Sequence, residues 1–409
     1  MDGVVLVTFI IVYAGMFFGR LPGLALDRTG VALLGAIALL ATGRITPPAA
    51  WTAIDVPTTA LLIAMMVVSA QFRLGGFYTA VTRRIANTHA GPNAVLALVI
   101  LAAGSLSAVL ANDVICIVMT PLIIEACLLR GLKPTPFLLG LACGANVGSA
   151  ATLIGNPQNI LIGQRMGLSF SGYLADAVVP SAIGLWVTWY VICRSVRDRW
   201  HEEPRDVHID AAPFNAWQTG KGLVVLTVLV ALFLFTSVPQ DLAALAAASV
   251  ILTSRKMHTR RMLALVDWQL LVLFAGLFIV NHAFQKAGGL DQMAAALHSA
   301  GINLHRPADL FVTTSVLSNV VSNVPAVMLL LPFADSPMAG SLLALSSTLA
   351  GNLLIVGSIA NIIVVDQAAH RGIRVSWSEH ARVGIPVTVV TLLICAAWLY
   401  LRYGLGGGT

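Results

Sequence analysis

Residues 144–159 read GANVGSAATLIGNPQN, and residues 350–361 read AGNLLIVGSIAN. Both lie within long apolar stretches, 136–164 and 340–365, yet each carries Gly, Asn and Ser to a depth where lipid tails should be. GNPQN (155–159) adds a helix-breaking Pro. Backbone without helical hydrogen bonds survives at membrane depth only where protein buries it or where it lines a cavity. Each stretch therefore predicts a membrane helix that unwinds part-way. Gly-x-x-x-Asn recurs in both, as Gly155/Asn159 and Gly357/Asn361.

Upstream of each break a second pair of motifs matches. ANDVICIVMTP (111–121) and SNVPAVMLLLP (322–332) each place an Asn nine residues before a Pro, at an offset of 211. Downstream, each half closes with an apolar segment that contains a Pro, Pro180 or Pro386. A repeated order of hairpin, broken helix and Pro-bearing helix indicates a duplicated transporter architecture. Counted from Asn146 to Gly155 and from Asn352 to Gly357, the second unwound segment reads four residues shorter, so the two half-sites are expected to differ.

The rest of the chain fits a membrane setting. Its 409 residues are 58% hydrophobic and 10% charged, whereas soluble domains carry roughly 25% charged residues to clothe their surface. With a mean hydropathy of +0.87, this composition excludes a soluble enzyme, a nucleic-acid module and a disordered scaffold. A span needs about 20 mostly apolar residues. By that measure the first half has spans near 3–19, 29–43, 56–72, 136–164 and 174–194, with a long apolar stretch at 93–130. The second half has 222–238, 241–253, 268–284, 340–365 and 384–402, with the corresponding stretch at 308–332. The first segment lacks a small-residue cleavage site after a basic start and reads as a retained span. The chain divides into a first repeat (1–194), a polar linker (195–220) and a second repeat (221–409).

If 93–130 and 308–332 are re-entrant hairpins, each half crosses five times and the repeats are inverted. With the N-terminus outside, 19 Lys and Arg fall in the cytoplasm: 20, 28, 73, 83, 84, 130, 133, 194, 197, 199, 205, 221, 255, 256, 260, 261, 371, 374 and 382. Five fall outside: Arg44, Arg165, Lys286, Arg306 and Arg402. Cytoplasmic loops carry the positive excess, so the expected fold is an all-α polytopic protein of about 10 spans plus 2 hairpins, both termini external. The setting is the cytoplasmic (inner) membrane.

The candidate site follows from the polar residues at midplane. Two half-helices that start at a break direct free N–H groups and positive dipole ends at a common point. Asp113 stands out, because a carboxylate near the bilayer centre costs a few kcal/mol and must pair, face water or bind a proton. No Lys or Arg lies within a helical turn of it in sequence, which suits ion coupling. The alternative is that Asn112 and Asp113 cap the helix that follows. The five Cys (116, 127, 143, 193, 395) sit in apolar stretches without a CxxC motif and read as small core residues, with no metal site. HEEP (201–204) is not HExxH, and GxxxxGK[ST] does not occur, so an intramembrane protease and an ATPase are both disfavoured.

ANDVICIVMTP, GSAATLIGNPQNILIG (148–163), SNVVSNVPAVMLLLP (318–332) and AGNLLIVGSIANIIV (350–364) resemble the ion transporter superfamily over essentially the whole chain. They look most like its arsenite permease (ArsB) and NhaD-type anion permease branch, and more distantly like the sodium-coupled dicarboxylate symporters. The resemblance implies substrate residues at the tips and breaks. By position these are Asn112, Asp113, Ser149, Thr152, Asn156, Asn159, Ser322, Asn323, Asn352, Ser358 and Asn361. The tips read Ala-Asn-Asp and Ser-Asn-Val where the dicarboxylate symporters carry Ser-Asn-Thr, which turns the reading away from carboxylates and two sodium ions. The expected function is arsenite or antimonite efflux driven by a proton gradient through alternating access, with Asp113 as the ion-coupling residue. The alternative is a sodium- or proton-coupled symporter of dicarboxylate, citrate or inorganic anions. No cofactor is implied. The implied partners are the solute, H⁺ or Na⁺, the bilayer, a second copy of the chain as in related dimers, and, left open, a separate ATPase subunit.

Overall fold

The computed structural model describes residues 2–19, 26–196, 200–203, 213–254 and 257–404. Arg20, Arg197, Arg199, Arg205, Arg255 and Lys256, assigned above to the cytoplasm, lie outside the described residues, as do 197–199 and 204–212 of the linker. Among the described residues all regular structure is helical. The first half forms α1 (Gly3–Phe18), α2 (Arg28–Ala41), α3 (Pro47–Ala53), α4 (Val56–Leu74), α5 (Phe77–Ala86), α6 (Pro92–Val109), α7 (Asn112–Leu129), α8 (Pro134–Ser149), α9 (Pro157–Met166) and α10 (Phe170–Val196). The second half repeats that order as α11 (Ala216–Phe235), α12 (Gln240–Leu252), α13 (Thr259–Leu263), α14 (Trp268–Lys286), α15 (Gly289–Ser299), α16 (Pro307–Val321), α17 (Asn323–Leu330), α18 (Ala339–Ala350), α19 (Ile359–Ala369) and α20 (Trp377–Gly404). The ten spans and two hairpins expected are present. Sequence reading missed the short α3, α5, α13 and α15, which recur at matching places.

The helix starts follow local chemistry. Asp2, Asp27, Asp55, Asn215 and Asp267 each accept a hydrogen bond from a first-turn N–H, and α6, α8, α9 and α16 begin with Pro, which gives up no needed donor there.

Contacts between helix ends identify the ends that share a face. On one face Arg44 pairs with Asp2 at 2.9 Å and Arg165 with Asp55 at 2.6 Å. Gln240 Nε2 donates to the Leu168 carbonyl (3.3 Å), and Arg402 pairs with Asp176 at 2.7 Å. On the other, Gln71 Nε2 donates to Gln218 Oε1 at 2.9 Å, and Lys221 Nζ to the carbonyl of Ile251 at 3.1 Å. Trp189 Nε1 donates to the carbonyl of Asn93 at 2.9 Å. Each contact joins two positions that the charge pattern puts on one side. Single-cysteine labelling should find 200–203 and 257–261 cytoplasmic, with 290–305 and the end of α20 external; labelling of 200–203 and the end of α20 from one side would overturn this topology.

Seven described helices, α4, α6, α7, α10, α11, α14 and α20, are long and apolar enough to cross a bilayer. Two of them, α6 and α7, are instead the arms of the first hairpin. Arg130, at its end, donates to the carbonyls of Ala86 and Ala90 beside its start, at 3.1 and 2.8 Å. Its tip meets the inside of the bundle. The Ala111 N–H donates to Ser69 Oγ of α4 at 3.2 Å, and Thr152 of the first break donates to the Ala108 carbonyl. The arm α6 lies against α8 so closely that a Cβ on Gly148 would sit 2.2 Å from the Gly104 carbonyl oxygen, the small-residue contact that brings membrane helices together. α16 and α17 form the matching hairpin, closed by His305 Nδ1 and Asp335 at 2.5 Å.

Polarity is inside out relative to a soluble protein. Ile10, Val224, Phe235 and Leu393 are exposed on the outer surface, whereas Asn159, Asn352 and Asn361 are 0% exposed. Trp217, Trp268 and Trp377 stand exposed at helix starts, where amphipathic rings anchor a helix at the headgroup level.

Candidate substrate site

The two breaks span residues 150–156 and 351–358. They are almost equal in length, which corrects the expected four-residue difference. Asn146 is still helical within α8, and its positional equivalent, at an offset of 202, is Thr348 rather than Asn352. The same offset relates Asn156 to Ser358 and Asn159 to Asn361.

Each half-helix begins with a side-chain cap. Asn156 Oδ1 accepts from the Asn159 N–H at 3.0 Å, and Pro157 follows where no donor is needed. Ser358 Oγ accepts from the Ala360 N–H at 3.2 Å. Gly155 is required by proximity, since a Cβ there would lie 2.3 Å from the Ser149 carbonyl and 2.8 Å from that of Ser107 in the hairpin.

The unwound carbonyls are satisfied by buried amides in matched fashion. Asn159 Nδ2 donates to the carbonyl of Thr152 (2.9 Å), to that of Ser149 (3.3 Å) and to the Tyr173 hydroxyl (3.1 Å). Asn361 Nδ2 donates to the carbonyls of Gly351 (2.9 Å) and Leu354 (3.2 Å). Two side chains then cross between the repeats. Asn146 Nδ2 donates to Asn352 Oδ1 and Asn361 Oδ1 at 2.9 and 3.0 Å, while its Oδ1 accepts from Ser358 Oγ at 2.7 Å. Thr348 Oγ1 accepts from Asn156 Nδ2 (3.2 Å) and Gln158 Nε2 (3.1 Å), and donates to Asn159 Oδ1 (3.3 Å). Asn323, with its amide turned to satisfy both ends, donates to the carbonyls of Ser347 and Gly357 and accepts from Gln158. In low dielectric such a network gains from every bond made and loses heavily from any left open.

All of the expected site residues but Ser322 therefore fall into two groups. Ser149, Thr152, Asn159, Asn323, Asn352, Ser358 and Asn361 are buried in this network and hold the breaks in shape. Asn112, Asp113 and Asn156 line a cavity of about 80 Å³ with Gly155, Met65, Met66, Arg73 and Asp267, room for a few waters or one small solute. Ser322, at the second tip, is the one non-Gly residue with positive φ among the described residues, at φ 74° and ψ 161°. That region belongs to Gly, so the tip stores strain of about 1–3 kcal/mol, as functional segments often do.

The capping alternative for Asp113 does not hold. Ala111 is the N-cap of α7 and makes no side-chain cap, and Asn112 Oδ1 accepts from the Asp113 N–H at 3.0 Å. Among the described residues the Asp113 carboxylate makes no hydrogen bond or ion pair, and it faces the cavity. Sequence reading missed Arg73 and Asp267, which come from the ends of α4 and α14. It also missed Asn146, Gln158 and Thr348, which the offset of 202 would have flagged. Cys116, Cys127, Cys143 and Cys395 are buried free thiols, and among the described residues no three His, Cys, Asp or Glu group as metal ligands would.

Residues 6–344 match the model of a family described as citrate transporter (CitMHS). The chain is similar to a 46 kDa membrane protein of Mycobacterium leprae (strain TN), 27% identical over 98% of this chain and 99% of that protein. It is also 27% identical to the silicon efflux transporter LSI3 of Oryza sativa subsp. japonica, over 92% of this chain and 93% of that one. Among solved structures, the YdaH transporter of Alcanivorax borkumensis shares the fold, with a TM-score of 0.58 at 14% identity over 99% of each chain.

Proposed function

This chain belongs to the CitMHS citrate transporter family, and on that premise we propose that it exports a small neutral acid of a metalloid, arsenite or antimonite first among them, in exchange for protons. It is a multi-pass membrane transporter and not an enzyme. The observation that carries the choice of solute is the set of charged groups around the tip cavity, where two carboxylates, Asp113 and Asp267, stand with one guanidinium, Arg73. While Asp113 is ionised the site carries surplus negative charge and repels a polyanion such as citrate, since like charges in a desolvated site cost several kcal/mol. It accepts an uncharged solute, and a free carboxylate is then left to carry the coupling proton. Arsenous acid is mostly uncharged near neutral pH, and its hydroxyl groups suit the amides of Asn112 and Asn156. Orthosilicic acid, the dissolved form of silicon, is chemically similar, and a relative matched over 93% of its own length is named for silicon efflux. The family's description favours the second reading, a citrate or anion symporter.

Proteoliposomes holding the purified protein decide between them. Arsenite, antimonite and silicic acid should move against an imposed pH gradient while citrate and other dicarboxylates do not. Citrate uptake with no metalloid flux would replace this reading with the second. A thiol-based arsenic site is a separate matter. Tight thiolate bonds would oppose release, so a variant with all five Cys changed to Ser or Ala should keep at least half of its transport. Loss of transport in a correctly inserted Cys-less protein would instead point to sulfur ligation.

A further inference from the structure

The helices α4 and α14 are related by an offset of 212, and it matches one charged residue to another. Asp55 and Asp267 are both N-caps, accepting from the N–H of Thr58 and Leu270 at 2.9 Å in each case. Their partners differ. Asp55, with its side chain 12% exposed, is paired at 2.6 Å with Arg165 in the last turn of α9. The Arg165 guanidinium also lies over the Phe278 ring of α14, 5.6 Å from its centre. At the matching joint on the other face the residue equivalent to Arg165 is Gln367, which accepts at 2.7 Å from Arg371 in the turn just after its helix. Among the described residues Asp267 pairs with no cation.

The spaces at the two joints differ correspondingly. Around Asp267 a cleft of about 520 Å³ separates α14 from α19, with Asp27, Arg28, Val356 and Ile359 on its walls. Behind the Arg165–Asp55 pair lies a second cavity of about 280 Å³, between α9, α14 and the second hairpin. Arg165, Asn281, His282 and Met328 line it. The Asn281 amide is held by the Tyr13 hydroxyl, which donates to its Oδ1 at 2.8 Å, and its Nδ2 donor is buried without a partner.

We propose that Arg165 and Asp55 form the gate of this face, shut in this structure over an exit vestibule in which the Asn281 amide is the waiting donor. Arg165 rides on the broken helix, while Asp55 belongs to α4, outside the network. For the breaks to open toward this face α9 must leave α4, and the ion pair must part. On the other face no such pair holds Asp267, so that joint stands open. The gate rests on the alternating-access reading and is independent of which solute crosses.

Accessibility measures it without any substrate. In a Cys-less background carrying Met328→Cys, a membrane-impermeant maleimide is added to vesicles of each orientation. Asp55→Asn keeps an oxygen to cap α4 and loses the charge; Arg165→Gln loses the guanidinium. Each should raise labelling from the Arg165 face about fivefold, the shift expected when a half-exposed ion pair is lost. The double variant should label no faster than either single one, because the two changes remove the same interaction. Cys143, restored alone, should stay unreactive in all of them, which separates gate opening from a loosened fold. Equal labelling in all variants, additive effects, or parallel exposure of Cys143 would overturn the gate. Failure of arsenite transport alone would leave these results, and the gate, untouched.

Discussion

Asp113→Asn should insert, fold and exchange solute across the membrane, yet lose gradient-driven accumulation by tenfold or more, about 1.4 kcal/mol of lost coupling per factor of ten. A bare carboxylate at this depth costs about 3 kcal/mol by insertion scales, and the fold offers it no hydrogen bond or ion pair among the described residues. On the proposed proton-coupled reading, this unpartnered carboxylate facing a cavity is the group whose charge comes and goes. Asn keeps the size and polarity and deletes the titratable group. Since Asp113 does not cap α7, the substitution removes no structural bond, and the melting temperature should move little. Uptake into everted vesicles under an imposed pH gradient, set beside equilibrium exchange, gives the comparison. Full accumulation by Asp113→Asn would remove Asp113 from the coupling step.

The second large effect is expected at Asn146. Its truncation to Ala leaves Asn352 Oδ1 without its donor, Asn361 Oδ1 likewise, and Ser358 Oγ without its acceptor. Each orphaned buried group costs about 1–3 kcal/mol in soluble cores, and bonds between membrane helices average nearer 0.6 kcal/mol. Three together should cost about 3 kcal/mol. Asn146→Asp keeps the shape, loses both donations and should fall as far, whereas Asn156→Ser, which retains a cap, should cost less than half of that. Thermal melting in detergent gives the ranking. A change below about 0.5 kcal/mol for Asn146→Ala would mean that water or rotation of neighbours replaces its bonds.

Much of the fold was legible because lipid removes the usual reasons for polar residues. Gly, Asn and Pro inside 144–159 and 350–361 have no solvent to face, so they marked the breaks. The hairpin tips, with Asn112 and Asn323 in register, were legible for the same cause. The short helices α3, α5, α13 and α15 were not, since an amphipathic turn at the interface carries neither a long apolar run nor a midplane polar group. Arg73 and Asp267 escaped notice because their sequence neighbours belong to helix ends; only the packing of α4 and α14 around the first tip brings them to Asp113. Asn146 was read as part of the break when it is a helical residue reaching across to the other repeat, and that error produced the false difference in break length.

The crossing bonds of Asn146 and Thr348 have a mechanical consequence. Each break borrows its last hydrogen bonds from the opposite half of the chain, so α8–α9 and α18–α19 are knitted into one cartridge. Neither can pivot without breaking bonds that it cannot remake in lipid. A displacement that carries one broken helix toward either surface must carry the other by the same distance. Were transport to move this block as one, turnover would depend on how readily the surrounding bilayer lets it slide. Changing acyl-chain length should alter the transport rate while leaving solute affinity as it was.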